Sequence, residues 1–206
     1  MADIIGLTGQ TGAGKSTVRE ILRQKGAAVI DADSVAHDIT ENNLECIYDI
    51  VSHFSCLVLN EKGTIDRKKL GKRVFGDKKE LQMLNKIIFP YIIDAIEHKV
   101  LIHTASGAKS IIIDGATVIE SGCGKMCDAI ISVVADADTR MTRIIERDGI
   151  TKSDAERRIL AQKPEEFYTE NSDFVIHNDS TKAELERRVN TVLKNMVVKT
   201  INTPED

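Results

Sequence analysis

The chain reads as an α/β protein built on a five-stranded parallel sheet, and three features predict it. Short apolar, β-branched runs recur five times, helical patterns lie between them, and a glycine-dense turn joins the first run to the first helix. Strands that are apolar along their whole length belong to sheets covered on both faces, the usual condition of parallel strands. Alternating strands and helices close right-handed crossovers of one sheet.

The predicted strands are "DIIGLT" at 3–8, "AAVIDAD" at 27–33, "SIIIDG" at 110–115, "AIISVVAD" at 129–136 and "FVIHND" at 174–179. The first helix is expected over Ser16–Gln24, with Val18, Ile21 and Leu22 on one face and Gly26 as its stop signal. The gap between the second and third strands is too long for one crossover. Residues 35–109 read as several helices, among them "LGKRVFG" and "KELQMLNKIIFPYIIDAIEHKVLIHTA", the latter expected to break or kink at Pro90. A second excursion at 138–172 supplies "TRMTRIIERDGI", ending near Gly149, and "TKSDAERRILAQ", with Thr151 and Asp154 in capping-box spacing. The polar "KPEEFYTENS" that follows is expected to be mobile. A last helix, "TKAELERRVNTVLKNMVVK", is expected to pack back on the core and "INTPED" to fray. The expectation is one domain over 1–206, with a core at 1–34, 110–137 and 173–206, a helical insertion at 35–109 and a helical lid at 138–172.

Composition narrows the function. Of 206 residues, 42% are hydrophobic and 29% charged, enough for one core and a soluble surface. Aromatics at 4%, no tryptophan and a net charge of −4 speak against a nucleic-acid-binding face. No run approaches the roughly 18 apolar residues of a membrane span, and "MADIIGLTG" lacks the features of a signal peptide. Four irregularly spaced cysteines do not make a disulfide framework, and Cys123 and Cys127 read as plain thiols. A reduced, cytoplasmic protein with no membrane partner is expected, as a monomer or weak homo-oligomer.

The chemistry starts in "GLTGQTGAGKST". Gly9 through Ser16 fit G-x-x-x-x-G-K-[ST] in full, between an apolar strand and a helix, the context the motif requires. Glycines let backbone N–H groups turn inward at dihedrals that a side chain forbids. With the helix N-terminus they form a concavity for phosphate oxygens. Thr11, Gly12, Ala13, Gly14 and Thr17 are expected to supply amides, Lys15 to reach the β- and γ-phosphates, and the Ser16 hydroxyl to ligate Mg²⁺. The ligand is a nucleoside triphosphate, and an insertion of this size over such a sheet is expected to hold a second substrate.

"VIDAD" follows at the end of the second strand. Asp31 and Asp33, two apart on an extended strand, share a face and point into the crevice beside the terminal phosphate. One such carboxylate can take the proton of an attacking hydroxyl, and the other can assist Mg²⁺ through water. Asp33 is the expected base and Asp31 the supporting ligand. Arg143 and Arg147, four apart on one helix, are expected to close over the transferred phosphoryl group, with Arg158 in the next helix.

These residues resemble the dephospho-CoA kinase family, and the resemblance runs from Ile4 to about Leu193. "IIGLTGQTGAGKST" and "VIDADSVAH" are similar to its opening and its Asp-x-Asp segment. "GTIDRKKLGKRVFGD" with "LNKIIFP" is similar to its substrate-binding insertion, with Arg67 on a basic position typical of the family. "IIIDGATVIES" keeps Asp114 and Glu120 where the family has Asp-Val-Pro-Leu-Leu-Phe-Glu. "TRMTRIIERDGITKSDAERRILAQKPEE" resembles its lid and "SDFVIHND" its closing strand. The resemblance implies a P-loop kinase core that phosphorylates the ribose 3′-hydroxyl of dephospho-CoA with ATP and Mg²⁺. It also implies acceptor contacts at Asp31, Asp33, Arg67, Asp114 and Glu120, and Asn178 near the adenine of ATP. Departures are Phe89-Pro90 for His-Pro, Ala116–Ile119 for Pro-Leu-Leu-Phe, and Tyr168 and Asn171 where the lid usually has a lysine and an arginine. Lys163, Arg143 and Arg147 remain to carry that load. Another nucleotide or small-molecule kinase, or a nucleotide-binding protein of this fold without catalysis, is the alternative.

Overall fold

The computed structural model describes the backbone of residues 2–74 and 76–202 and the side chains up to Met196. Its strands are β1 (Asp3–Gly9), β2 (Ala28–Asp31), β3 (Ser110–Asp114), β4 (Ala129–Val134) and β5 (Phe174–His177). They form one all-parallel sheet in the order β2-β3-β1-β4-β5. Alternation along each strand feeds two cores. On β3, Ile111 and Ile113 face one side and Ile112 the other, all fully buried.

The first core is covered by α2 (Ala32–Asn42), α3 (Leu44–Phe54), α4 (Arg67–Val74) and α5 (Lys78–Ala105), which together fill the gap between β2 and β3. The second is covered by α1 (Lys15–Gln24) and α9 (Lys182–Asn202). Leu185, Val189 and Val192 of α9 pack with Val18, Ile21 and Leu22 of α1, as the apolar stripe of each predicts. Each such side chain removed from water contributes roughly 1.5–3 kcal/mol. The remaining helices, α6 (Ala137–Asp148), α7 (Lys152–Leu160) and α8 (Glu165–Glu170), lie between β4 and β5.

Because β1 has β3 on one side and β4 on the other, the chain departs from it in opposite directions. The crevice outside the carboxyl ends of these strands is where ligands bind in such sheets.

Four expectations change. β2 ends at Asp31, not at residue 33, because the Asp31 carboxylate accepts the Ser34 N–H at 2.9 Å and caps α2. Asp33 therefore sits in the first turn of a helix and not on a strand. α5 runs through Pro90 without ending: Pro90 is exposed, while Ile87, Ile88, Tyr91 and Ile92 around it hold the helix against the core. The segment expected to be mobile contains α8, anchored by Tyr168, which is 2% exposed. α1 begins at Lys15, one residue early. The cap at Thr151 forms as predicted, its hydroxyl accepting the Asp154 N–H at 3.2 Å. Of "INTPED", Ile201 and Asn202 continue α9, and the fraying expected of residues 203–206 lies outside the described residues.

Candidate active site

The turn from β1 into α1 is held in place by three glycines with no room for a side chain, and at Gly12 a Cβ would lie 2.7 Å from the Arg140 carbonyl oxygen. Gly9 has φ 148°, and a Cβ there would lie 2.2 Å from the Val133 carbonyl oxygen of β4. At Gly14, with φ 94°, a Cβ would lie 2.2 Å from the Asn178 side-chain nitrogen. That nitrogen donates to the Ala13 carbonyl at 2.8 Å and so props the loop from beneath. The amides of Gly12, Gly14, Lys15 and Ser16 have no partner among the described residues. They surround the mouth of a cavity of about 690 Å³ at the carboxyl edge of the sheet. Open amides at a helix N-terminus form an anion cradle.

The expected donors divide. Gly12 and Gly14 are open, but the Thr11 N–H is given to the Gln162 side chain at 2.8 Å. The Ala13 N–H goes to Gln10 O at 3.1 Å, and Ala13 itself is fully buried. The Thr17 N–H bonds Gly14 O at 3.0 Å, closing the first helical turn. Lys15 and Ser16 take their place as open amides. Asn178 lines the cavity from below the loop, so its amide is committed to the cradle's shape.

Three carboxylates face the cavity. Asp114, at the end of β3, is 3% exposed and bonds Lys15 Nζ through one oxygen and Arg19 Nη1 at 2.9 Å through the other. Asp31 caps α2 with Oδ1 and accepts from Arg19 Nη1 at 3.1 Å with Oδ2. Asp33 is exposed and has no hydrogen-bond or ion-pair partner among the described residues. Asp114, expected at the acceptor, lines the cavity with both its oxygens bonded to cations of α1.

From the far side, α6 presses on the loop. Arg140, 5% exposed, donates from Nε to Thr11 O at 3.1 Å and from Nη2 to Gln162 Oε1 at 3.4 Å. Burial lowers its pKa from the usual arginine value, with Tyr168 and Glu165 nearby opposing the effect. Arg143 Nη1 lies 3.4 Å from Gly12 O and 3.5 Å from Ala13 O, within the cavity wall. Arg147 also lines the cavity, but its guanidinium is paired with Asp148 at 2.8 and 2.9 Å, and Arg158 is held by the same carboxylate. Lys163 does not line the cavity; its Nζ lies 5.2 Å over the Phe167 ring. Arg67, exposed at the start of α4, and Glu120, exposed in the turn after β3, are outside the lining as well.

A parallel sheet, a phosphate cradle and an uncommitted carboxylate facing it narrow the choice to phosphoryl transfer, and comparison with known proteins decides the family. The family model described as "Dephospho-CoA kinase" matches residues 3–184. This chain belongs to the dephospho-CoA kinase family. A dephospho-CoA kinase from Fusobacterium nucleatum is 40% identical over 186 residues, covering 90% of this chain and 94% of the relative. The solved dephospho-CoA kinase from Campylobacter jejuni is 28% identical with a TM-score of 0.68, covering 95% of this chain and 98% of that one. A shikimate kinase from Acinetobacter baumannii, at 12% identity and a TM-score of 0.54, covers 97% of this chain and 95% of that one, and shares the fold alone.

Against the family pattern, only one residue of the Ala116–Ile119 departure, Ala116, lines the cavity. Val118 is buried beneath Gly6 in the core. Tyr168, at a lid position where the family pattern has a cation, is a packing residue against Phe167, ring centroids 5.5 Å apart. Sequence reasoning missed Arg19, Arg140 and Gln162. Arg19 was accessible, since it lies one helical turn beyond Lys15 and so shares its face. Gln162 carries no local signal, because its partner is 151 residues away.

Proposed function

We propose that this chain transfers the terminal phosphoryl group of ATP to the ribose 3′-hydroxyl of dephospho-CoA, yielding CoA and ADP, with Asp33 as the general base. One observation carries the assignment of the base. Of the carboxylates lining the cavity, Asp31 and Asp114 are each engaged at both oxygens, whereas Asp33 is free among the described residues. A base must be able to accept a proton, and a carboxylate already saturated by guanidinium and amide donors is a poor acceptor.

The open amides of Gly12, Gly14, Lys15 and Ser16 receive phosphate oxygens, and Lys15 turns from Asp114 toward the β- and γ-phosphates. Asp33 orients the acceptor hydroxyl and takes its proton. Arg143 is already beside the loop, and Arg147, released from Asp148, joins it around the equatorial oxygens as charge accumulates there. Arg67 and Glu120 are assigned to parts of the acceptor beyond the phosphate cavity. Mg²⁺ fits the donors present. Ser16 lines the cavity with Asp31, an oxygen donor set of the kind Mg²⁺ takes alongside phosphates and water. The Ser16 hydroxyl would hold it, with Asp31 through water, and it would neutralise charge on the β- and γ-oxygens.

Acceptor-dependent ADP release tests the reading. Turnover with dephospho-CoA, and little with AMP or with no acceptor, is the expected pattern. Equal turnover with AMP points to a different nucleotide kinase, and no acceptor-dependent turnover at all points to a binding protein.

A further inference from the structure

Lys15 faces a conflict that the phosphate cradle does not resolve by itself. Its Nζ donates to Asp114, whose side chain is 4% exposed, and the phosphates can claim Lys15 only if it leaves that carboxylate. An anion in so dry a place is costly to strand, and removing one partner of a buried pair is among the more expensive single changes a protein can suffer. A second cation is already at hand. Arg19 Nη1 donates to Asp114 Oδ2 at 2.9 Å and to Asp31 Oδ2 at 3.1 Å, and is the side chain among the described residues that touches both carboxylates.

We propose that Arg19 is a positioning residue that keeps Asp114 neutralised, so that Lys15 is free to turn to the phosphates of the nucleotide. Without Arg19, the nearly buried Asp114 would be left with Lys15 as its cation, and the nucleotide would have to pull Lys15 out of that trap. The planar guanidinium suits the task, since it keeps its charge and can span two acceptors. Through Asp31, which caps α2, the same contact steadies the turn that carries Asp33. The inference rests on the phosphoryl-transfer reading for the identity of the nucleotide but concerns binding, not the acceptor.

A double-mutant cycle on the full chain tests it, with ATP affinity measured by calorimetry in the absence of acceptor. R19Q is expected to weaken ATP about tenfold, equivalent to about 1.4 kcal/mol, while R19K stays within about threefold because it keeps the charge. In the D114N background the trap is gone, and R19Q should then cost less than about twofold. The KM for the acceptor should move little. A cost for R19Q that is the same in both backgrounds, a loss in R19K equal to that in R19Q, wild-type affinity in R19Q, or an R19Q chain that does not melt cooperatively overturns the proposal. Failure of the wild type to turn over dephospho-CoA would sink the proposed function while leaving this comparison of ATP affinities intact.

Discussion

The phosphate cradle and the helices expected to form a lid, α6 and α7, both place cations near the same cavity, but they restrain them differently. At the cradle, Lys15 is paired with the nearly buried Asp114. In the lid, Arg147 and Arg158 share Asp148, with their side chains 60% and 51% exposed. Exposed pairs of that kind contribute roughly 0–1 kcal/mol, so a lid arginine can be redirected to a phosphate at little cost. A buried pair cannot be opened so cheaply, which is why the cradle needs a second cation and the lid does not. Hydrogen bonds to Arg147 hold the Asp148 carboxyl below the usual carboxylate range, so the pair is expected to stay ionised at neutral pH and to weaken as the pH falls through the acidic range where that carboxylate protonates.

The largest effect is expected on the cradle side. D33N should lower kcat by roughly 10²–10⁴-fold with ATP affinity nearly unchanged, since it removes the proposed proton acceptor and no phosphate contact. Steady-state kinetics together with calorimetry separate the two quantities, and a D33N enzyme with near wild-type kcat removes Asp33 from the reaction. G14A comes next. Its Cβ would collide with the Asn178 side chain and demand a left-handed backbone, so ATP binding should be lost and Tm should fall.

In the lid, R143A and R147A should each lower kcat by roughly 10–10³-fold. The comparison sharpens in their stability. R147A forfeits a surface pair and should leave Tm nearly unchanged, whereas R143A also loses contacts to the loop carbonyls. A large Tm loss in R147A would show that the lid pair is structural. T151A removes the cap of α7 and should cost about 1 kcal/mol in a denaturant titration, with kcat altered less than in either arginine variant.

The smallest effect is on thiol chemistry. Exposed Cys56 should react first with a thiol reagent at pH 8, while Cys46, raised to about 11 by burial, and Cys127, raised to about 12 by burial, stay slow until the fold opens. Fast modification of all four thiols in the native protein would contradict the packing of the first core, which holds Cys46, Cys123 and Cys127.

What the sequence disclosed follows the range of the interactions involved. The five strands, α1, the cap at Thr151 and the glycine motif are signalled by residues a few positions apart and were legible, whereas the commitment of the Thr11, Ala13 and Thr17 amides within the loop was not. Of the break or kink expected at Pro90, the break does not occur, because packing of α5 on a core that only the fold assembles overrides the local preference. Asp33 was expected in the cavity and lines it, although on a helix and not on a strand, because the Asp31 cap turns the chain two residues early. Arg140 and Gln162 meet Thr11 across more than a hundred residues of chain, and no spacing rule reports such a contact. Arg19 lay within reach of a helical-face argument, but only the tertiary position of Asp114 gives it a task.

Phosphorus NMR of a reaction containing the protein, Mg²⁺, ATP and dephospho-CoA tests the central claim most directly. A new phosphomonoester on the ribose 3′-oxygen should grow in step with ADP in the wild type and be absent with D33N. ADP accompanied only by inorganic phosphate, or a phosphate on any other oxygen of the acceptor, would contradict the account.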